Sequence, residues 1–158
     1  MTYQNLDIRL IRELQDDARQ SLRKLARKLD VSPSTVSKRL DGLKERGVIT
    51  GFRPVVDYAK LGFSLVAVTR IKARGEALQN VVDSLVEDPR LTQVYEITGE
   101  FDVMAIGRFR DEQEMNREIK RVLNLPGIEG TNTSIVLSSP KETLDVEIDE
   151  DLEAEALT

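Results

Sequence analysis

The chain has 158 residues, 40% of them hydrophobic, 32% charged and 4% aromatic, with no Cys and no His. This length suits one domain or two small ones packed with aliphatic side chains. The missing Cys and His exclude disulfide and thiol chemistry and remove the usual zinc ligands, so neither metal nor cofactor is expected. The net charge of −5 hides a segregation: residues 1–53 hold twelve Lys/Arg against seven Asp/Glu, while residues 54–158 hold eleven against twenty-one. A basic third joined to an acidic remainder is what a nucleic-acid module attached to a second module would show. There is no apolar run of about 18 residues and no apolar signal core in MTYQNLDIR, so no membrane segment and a cytoplasmic location are expected.

In chain order, Asn5 or Asp7 is placed to cap a first helix running to about Asp17, with Leu6, Ile8, Leu10, Ile11 and Leu14 as its apolar positions. Residues 21–51 then read as two short helices joined by a tight turn. Ser21 is a cap residue, followed by Leu22, Leu25, Ala26 and Leu29 at helical spacing. Asp30-Val31-Ser32 breaks that period, Ser32 caps the next helix, and Pro33 fits a first turn, where a missing N–H costs nothing. Val36, Leu40 and Leu43 share one face, and Gly47 is the stop. At about 100° per residue, Ser34, Lys38 and Asp41 point the other way, with Thr35 and Ser37 beside them. Short hydroxyls let a helix approach base edges closely, and cations such as Lys38 and Arg39 reach phosphate or guanine. Ser21 and Ser32, at the two helix starts, join the candidate DNA contacts. The plain alternative is an ordinary amphipathic helix pair. Val48-Ile49 reads as a strand start, Gly51 as a turn and residues 52–56 as a return strand, which makes the module a winged helix-turn-helix. Arg53 near the wing tip is a phosphate or minor-groove candidate, or equally a solvated loop arginine.

Residues 57–62 form a connector within a linker, 54–63, after which the texture changes. Leu65–Ala73 is β-branched and strand-like, residues 76–88 are helical up to Pro89, and residues 91–98 and 101–109 form two strands around Gly99-Glu100. Asp111 caps a helix holding Met115, Ile119, Val122 and Leu123, and residues 131–138 form a last strand. The order βαββαβ over residues 64–141 is the ferredoxin-like (ACT-like) arrangement, an antiparallel sheet with both helices on one face. The class is thus α+β. Leu65, Ala67 and Ile71 form one face of the first strand, Val66 and Val68 the other. In the third strand, Met104 and Ile106 oppose Val103 and Ala105. A second apolar face implies a further packed surface, most simply another copy of the chain. Residues 142–158 carry eight acidic and no basic residues. They read as a solubilising tail, or, through Leu144, Val146 and Ile148, as an added edge strand.

The chain resembles the Lrp/AsnC, or feast/famine, transcription regulators over about residues 1–140. The matching pieces are Leu6-Asp7 with Ile11, residues 31–36 opening the reading helix, and residues 43–49 closing it, then Leu61-Gly62 and Thr98-Gly99-Glu100-Phe101-Asp102. The resemblance implies double-stranded DNA as partner, homodimers or octamers, and a small-molecule effector, commonly an amino acid, at a contact between subunits. It also implies that Gly99, Glu100 and Asp102 help to line the effector site, with Tyr95 and Ser134 as further candidates. Chemistry agrees: Gly99 permits close backbone approach, and Glu100 and Asp102 suit an α-ammonium group. The plain alternative there is a hairpin turn with two solvated acids. Functionally, a sequence-specific regulator competes with an architectural DNA-coating protein, which the acidic balance disfavours. An enzyme is not expected, since no nucleophile–base pair or phosphate-cradling loop is visible.

Overall fold

A computed structural model describes residues 3–148, and side chains from Leu6 onward. The chain forms two compact units, 1–54 together with the segment from Glu142, and 55–141.

In the first unit, α1 (Tyr3–Asp16), α2 (Leu22–Leu29) and α3 (Pro33–Glu45) enclose one core. Leu10, Leu25 and Leu43 are fully buried there, beside Leu6, Leu29 and Val36. Each fully buried aliphatic side chain contributes about 1.5–3 kcal/mol. Leu22, assigned to the α2 core by its spacing, is 38% exposed. Asp30 ends α2 in the left-handed region (φ 56°), and the Val31 N–H donates to the Ala26 carbonyl. Asp tolerates that conformation better than most residues, and it makes the sharp turn into α3.

Two expectations fail in this unit, each for a local reason, and the edge-strand alternative for the tail is not realised over the described residues. Asp7 caps nothing: α1 starts at Tyr3, so Asp7 lies inside the helix, buried, with Arg39 and Arg46 as partners. The wing strands are absent, for residues 48–56 carry no strand. The Val48 and Ile49 N–H groups both donate to the Leu43 carbonyl, closing α3 around Gly47 at φ +70° instead of joining a ladder. Leu144 and Val146 are exposed, and residues 142–148 form no strand.

The second unit is an antiparallel sheet in the order β2-β3-β1-β4, built from β1 (Leu65–Ala73), β2 (Leu91–Glu96), β3 (Val103–Phe109) and β4 (Ile128–Ile135). A single 3-10 turn (Gly75–Ala77) leads into α4 (Leu78–Val86), while α5 (Glu112–Leu123) joins β3 to β4. The Asp111 side chain caps α5 by accepting from the Glu114 N–H. Ile71, Ala73 and Val103 pack against Val81 and Leu85 of α4 and Val122 of α5. Strand alternation then turns Val66, Val68, Met104 and Ile106 to the opposite face, half-buried. Gly107 has a steric purpose, since a Cβ there would sit 2.6 Å from the Phe109 ring. The fourth strand starts three residues earlier than its β-branched stretch suggests, because Lys72 and Ala73 pair with Gly130 and Ile128.

Candidate nucleic-acid interface and hairpin-turn site

The outer stripe of α3 is set by its N-terminus. Ser32 is the N-cap: its Oγ accepts from the Thr35 N–H at 3.1 Å and lies 2.8 Å from both Ser34 Oγ and Thr35 Oγ1. Three hydroxyls therefore gather at the helix start, where unpaired backbone N–H groups favour an anion. Ser34, Lys38 and Asp41 are exposed, and Ser37 and Thr35 are half-buried beside them. This is the arrangement expected from helical spacing. Ser21 is likewise an exposed N-cap, accepting from the Lys24 N–H at 3.2 Å. Arg53 is exposed.

Arg39 sits differently from the other candidates. Its guanidinium lies 3.6 Å from the buried Asp7 Oδ2, and Arg46 reaches the same oxygen at 3.0 Å while its Nε donates to the Gly42 carbonyl. Together with Thr35, Lys38 and Gly42 these arginines line an open recess along α3. A second recess, between α2 and α3, is lined by Arg23, Ala26, Arg27, Asp30, Val31 and Pro33. On α2, Lys24 and Lys28 are paired with Asp17 and Glu13, while Arg23 and Arg27 have no ion pair among the described residues. Arg23 and Arg27 on α2, and Arg46 at the end of α3, are thus cations that the polar-stripe argument missed. The signal for the first two was their i, i+4 spacing, which places them on one edge of α2.

In the second unit, Ile97 and Asp102 close the β2–β3 turn through an N–H to carbonyl bond of 2.9 Å, and the Asp102 N–H donates to the Ile71 carbonyl on β1. Gly99 has φ +115° and open space around its Cα, so its glycine is required by conformation and not by crowding. Glu100 is exposed. Asp102 is engaged: Oδ2 accepts from the Ala73 N–H at 2.9 Å and Oδ1 lies 3.5 Å from Lys72 Nζ. Nearby, Arg70 stacks on the Phe101 ring and donates to Asn132.

Tyr95 and Ser134 both lie on the face opposite the helices, since Tyr95 pairs with Met104 and Ser134 with Val68. They occupy opposite edges of the sheet, three strand spacings or about 14 Å apart. One copy of the chain does not bring them together.

Two family descriptions match the chain: a winged helix-turn-helix DNA-binding domain at residues 4–50 and the Lrp/AsnC ligand binding domain at residues 66–146. An HTH-type transcriptional regulator of Pyrococcus furiosus is 38% identical over 147 residues, covering 93% of this chain and 99% of its own. AzlB, a transcriptional regulator of Bacillus subtilis, is 34% identical, covering 91% and 94%. The E. coli AsnC structure superposes with a TM-score of 0.83 at 26% identity, covering 88% of this chain and 95% of that one. A Neisseria meningitidis regulator in complex with L-Met has the same fold, with a TM-score of 0.85 at 23% identity and coverage of 90% and 94%. These matches and the two-unit architecture define a DNA-binding transcriptional regulator with a ligand-binding domain. The chain belongs to the Lrp/AsnC family. No described helix is long and apolar enough to cross a membrane.

Proposed function

We propose that this regulator is sequence-specific, acts as a homodimer or a larger assembly of dimers, and responds to a small molecule of the amino-acid class bound between subunits. The observation that carries the reading is the second sheet face, where Val66, Val68, Met104 and Ile106, all half-buried, form an apolar patch on the side away from α4 and α5. A twofold contact through that face is self-complementary. It would set the β4 edge of one copy near the β2 edge of the other, uniting Ser134 and Tyr95 from different subunits. The L-Met complex of the Neisseria regulator supports the ligand class.

In this proposal Ser34, Thr35, Ser37 and Lys38 read the major groove, and Ser21, Ser32 and Arg53 contact the backbone. Gly99 and Glu100 meet the effector, while Asp102 fixes the turn that presents them. A ligand changes DNA binding only by preferring one subunit arrangement over another, with a coupling of about 1–3 kcal/mol that must be reciprocal.

The test is selection of bound duplexes from a random pool, with and without the twenty amino acids, beside sedimentation of the free protein. A roughly palindromic motif is expected, with half-sites one or more turns apart, about 34–36 Å per turn. Enrichment that shifts with one amino acid supports gating. A stable monomer at micromolar concentration overturns the assembly, and a pool without a motif favours the architectural reading.

A further inference from the structure

We infer that the recess along α3 lined by Thr35, Lys38, Arg39, Gly42 and Arg46 is a seat for a DNA phosphate, and that the buried Asp7 of α1 is the positioning residue that presets it. The inference rests on the DNA-binding reading and adds to it which backbone contact orients the reading helix. Thr35, Arg39, Gly42 and Arg46 recur at spacings of four, three and four, so they form one stripe of α3. It lies about 100° around the helix from the stripe of Ser34, Lys38 and Asp41. A helix in the major groove runs beside a sugar–phosphate backbone, so a cationic stripe flanking the base-facing stripe meets phosphate.

The lining suits that ligand. It offers three cationic side chains, one hydroxyl and no carboxylate. Gly42 leaves its floor open, since even a Cβ there would meet no atom within 4 Å. The two guanidinium groups are half-exposed, at 31% and 39% of their side-chain surface, whereas the Asp7 side chain is 6% exposed. One carboxylate oxygen thus faces two guanidinium groups. It holds both forks, and the planar fork geometry of a guanidinium is one that suits phosphate oxygens. Arg46 is also tied to its own helix through the Gly42 carbonyl, at 3.2 Å. Asp7 Oδ1 is buried without a hydrogen-bond partner. A carboxylate so placed on α1 is costly to bury, and orienting these arginines gives it a purpose beyond packing.

The test measures binding of the full chain to a selected operator duplex and to a random duplex over a series of KCl concentrations. Arg39→Gln and Arg46→Gln are each expected to weaken both duplexes alike and to reduce the salt slope by about one. Asp7→Glu keeps the charge but displaces the carboxylate by a methylene. It is expected to preserve the salt slope and the fold while lowering operator-over-random discrimination about tenfold, a split that a merely structural role would not give. Where a glutamine variant does not fold, Arg39→Lys and Arg46→Lys replace it. These are expected to keep the salt slope and to weaken both duplexes about tenfold, because Lys lacks the fork. Unchanged affinity and slope in the arginine variants would overturn the phosphate seat. Unchanged discrimination in a folded Asp7→Glu would overturn the positioning role. Ser34→Ala, on the exposed stripe and outside the recess, separates the two levels of the argument. If it weakens operator binding while the arginine variants do nothing, the recess is wrong and the DNA reading stands. If wild type binds no duplex, the DNA reading itself fails.

Discussion

Asp102→Ala separates a residue that holds a ligand from one that holds the turn. The Asp102 carboxylate accepts from the Ala73 N–H at 2.9 Å. Removing a charged acceptor costs about 1.5–3 kcal/mol, and here it strands a donor on a buried residue, for Ala73 is 7% exposed. The ion pair with Lys72 adds little, because its partners are 41% and 28% exposed at 3.5 Å and such pairs contribute about 0–1 kcal/mol. The expected loss is about 2 kcal/mol in the sheet unit, or about 30-fold in its opening equilibrium. Amide hydrogen exchange at Ala73, Ile71 and Val103 in the full chain reads that unit directly, even if the two units unfold separately. Asp102→Asn, which keeps an acceptor oxygen, should retain more than half of the protection energy. Exchange at Ala73 within about twofold of wild type in Asp102→Ala would refute the bond's structural weight. Loss of an amino-acid response in that same protected variant would return Asp102 to direct ligand contact.

Other perturbations have equally definite outcomes. Gly127→Ala should destabilise the sheet unit more than Gly99→Ala in urea titrations. Both have positive φ, but a Cβ at Gly127 would lie 2.1 Å from the Ala77 Cβ while Gly99 is open; overpacking adds about 1–3 kcal/mol to a strain of about 1. Ser32→Ala removes the cap of α3 and should cost about 1 kcal/mol in thermal melting of the helical unit, while a Ser32→Asp variant should retain most of that stability. Acidification should weaken the sheet unit through Asp88. Burial opposes its ionisation, but a hydrogen bond with Glu118, which keeps the shared proton, another from the Arg90 N–H, and the charge and hydrogen bond of Arg121 together hold its pKa below the usual carboxylate value. A folded-state pKa below the unfolded one gives stability present above the unfolded value and lost as pH falls through the folded one. Asp88→Asn should therefore flatten the acid limb of the stability–pH curve, and an unchanged limb would contradict this assignment. Glu118, whose pKa burial raises, works in the opposite sense and limits the loss.

The sequence by itself determined what depends on spacing along the chain. Ser32-Pro33, the interval to Gly47 and a period of 3.6 residues placed α3 and its polar stripe, because capping and helical geometry are local. Alternation along β1 and β3 likewise assigned Ala67 and Ile71 to one face and Val66 and Val68 to the other, since the strand period is two residues. Folding alone decided which charges meet. Asp7 and Arg46 are 39 residues apart, yet they share a bond of 3.0 Å. Asp102 reaches back 29 residues to the Ala73 N–H. Neither pairing has a periodic signature, so Asp7, placed by the sequence as a helix cap, became a buried partner of two arginines, and Asp102 became the acceptor that ties the turn to β1. The missing wing strands follow the same logic. Val48-Ile49 has strand composition, but Gly47 at φ +70° turned both N–H groups onto the Leu43 carbonyl. Strand propensity yields where a helix end has already taken the donors a ladder would need.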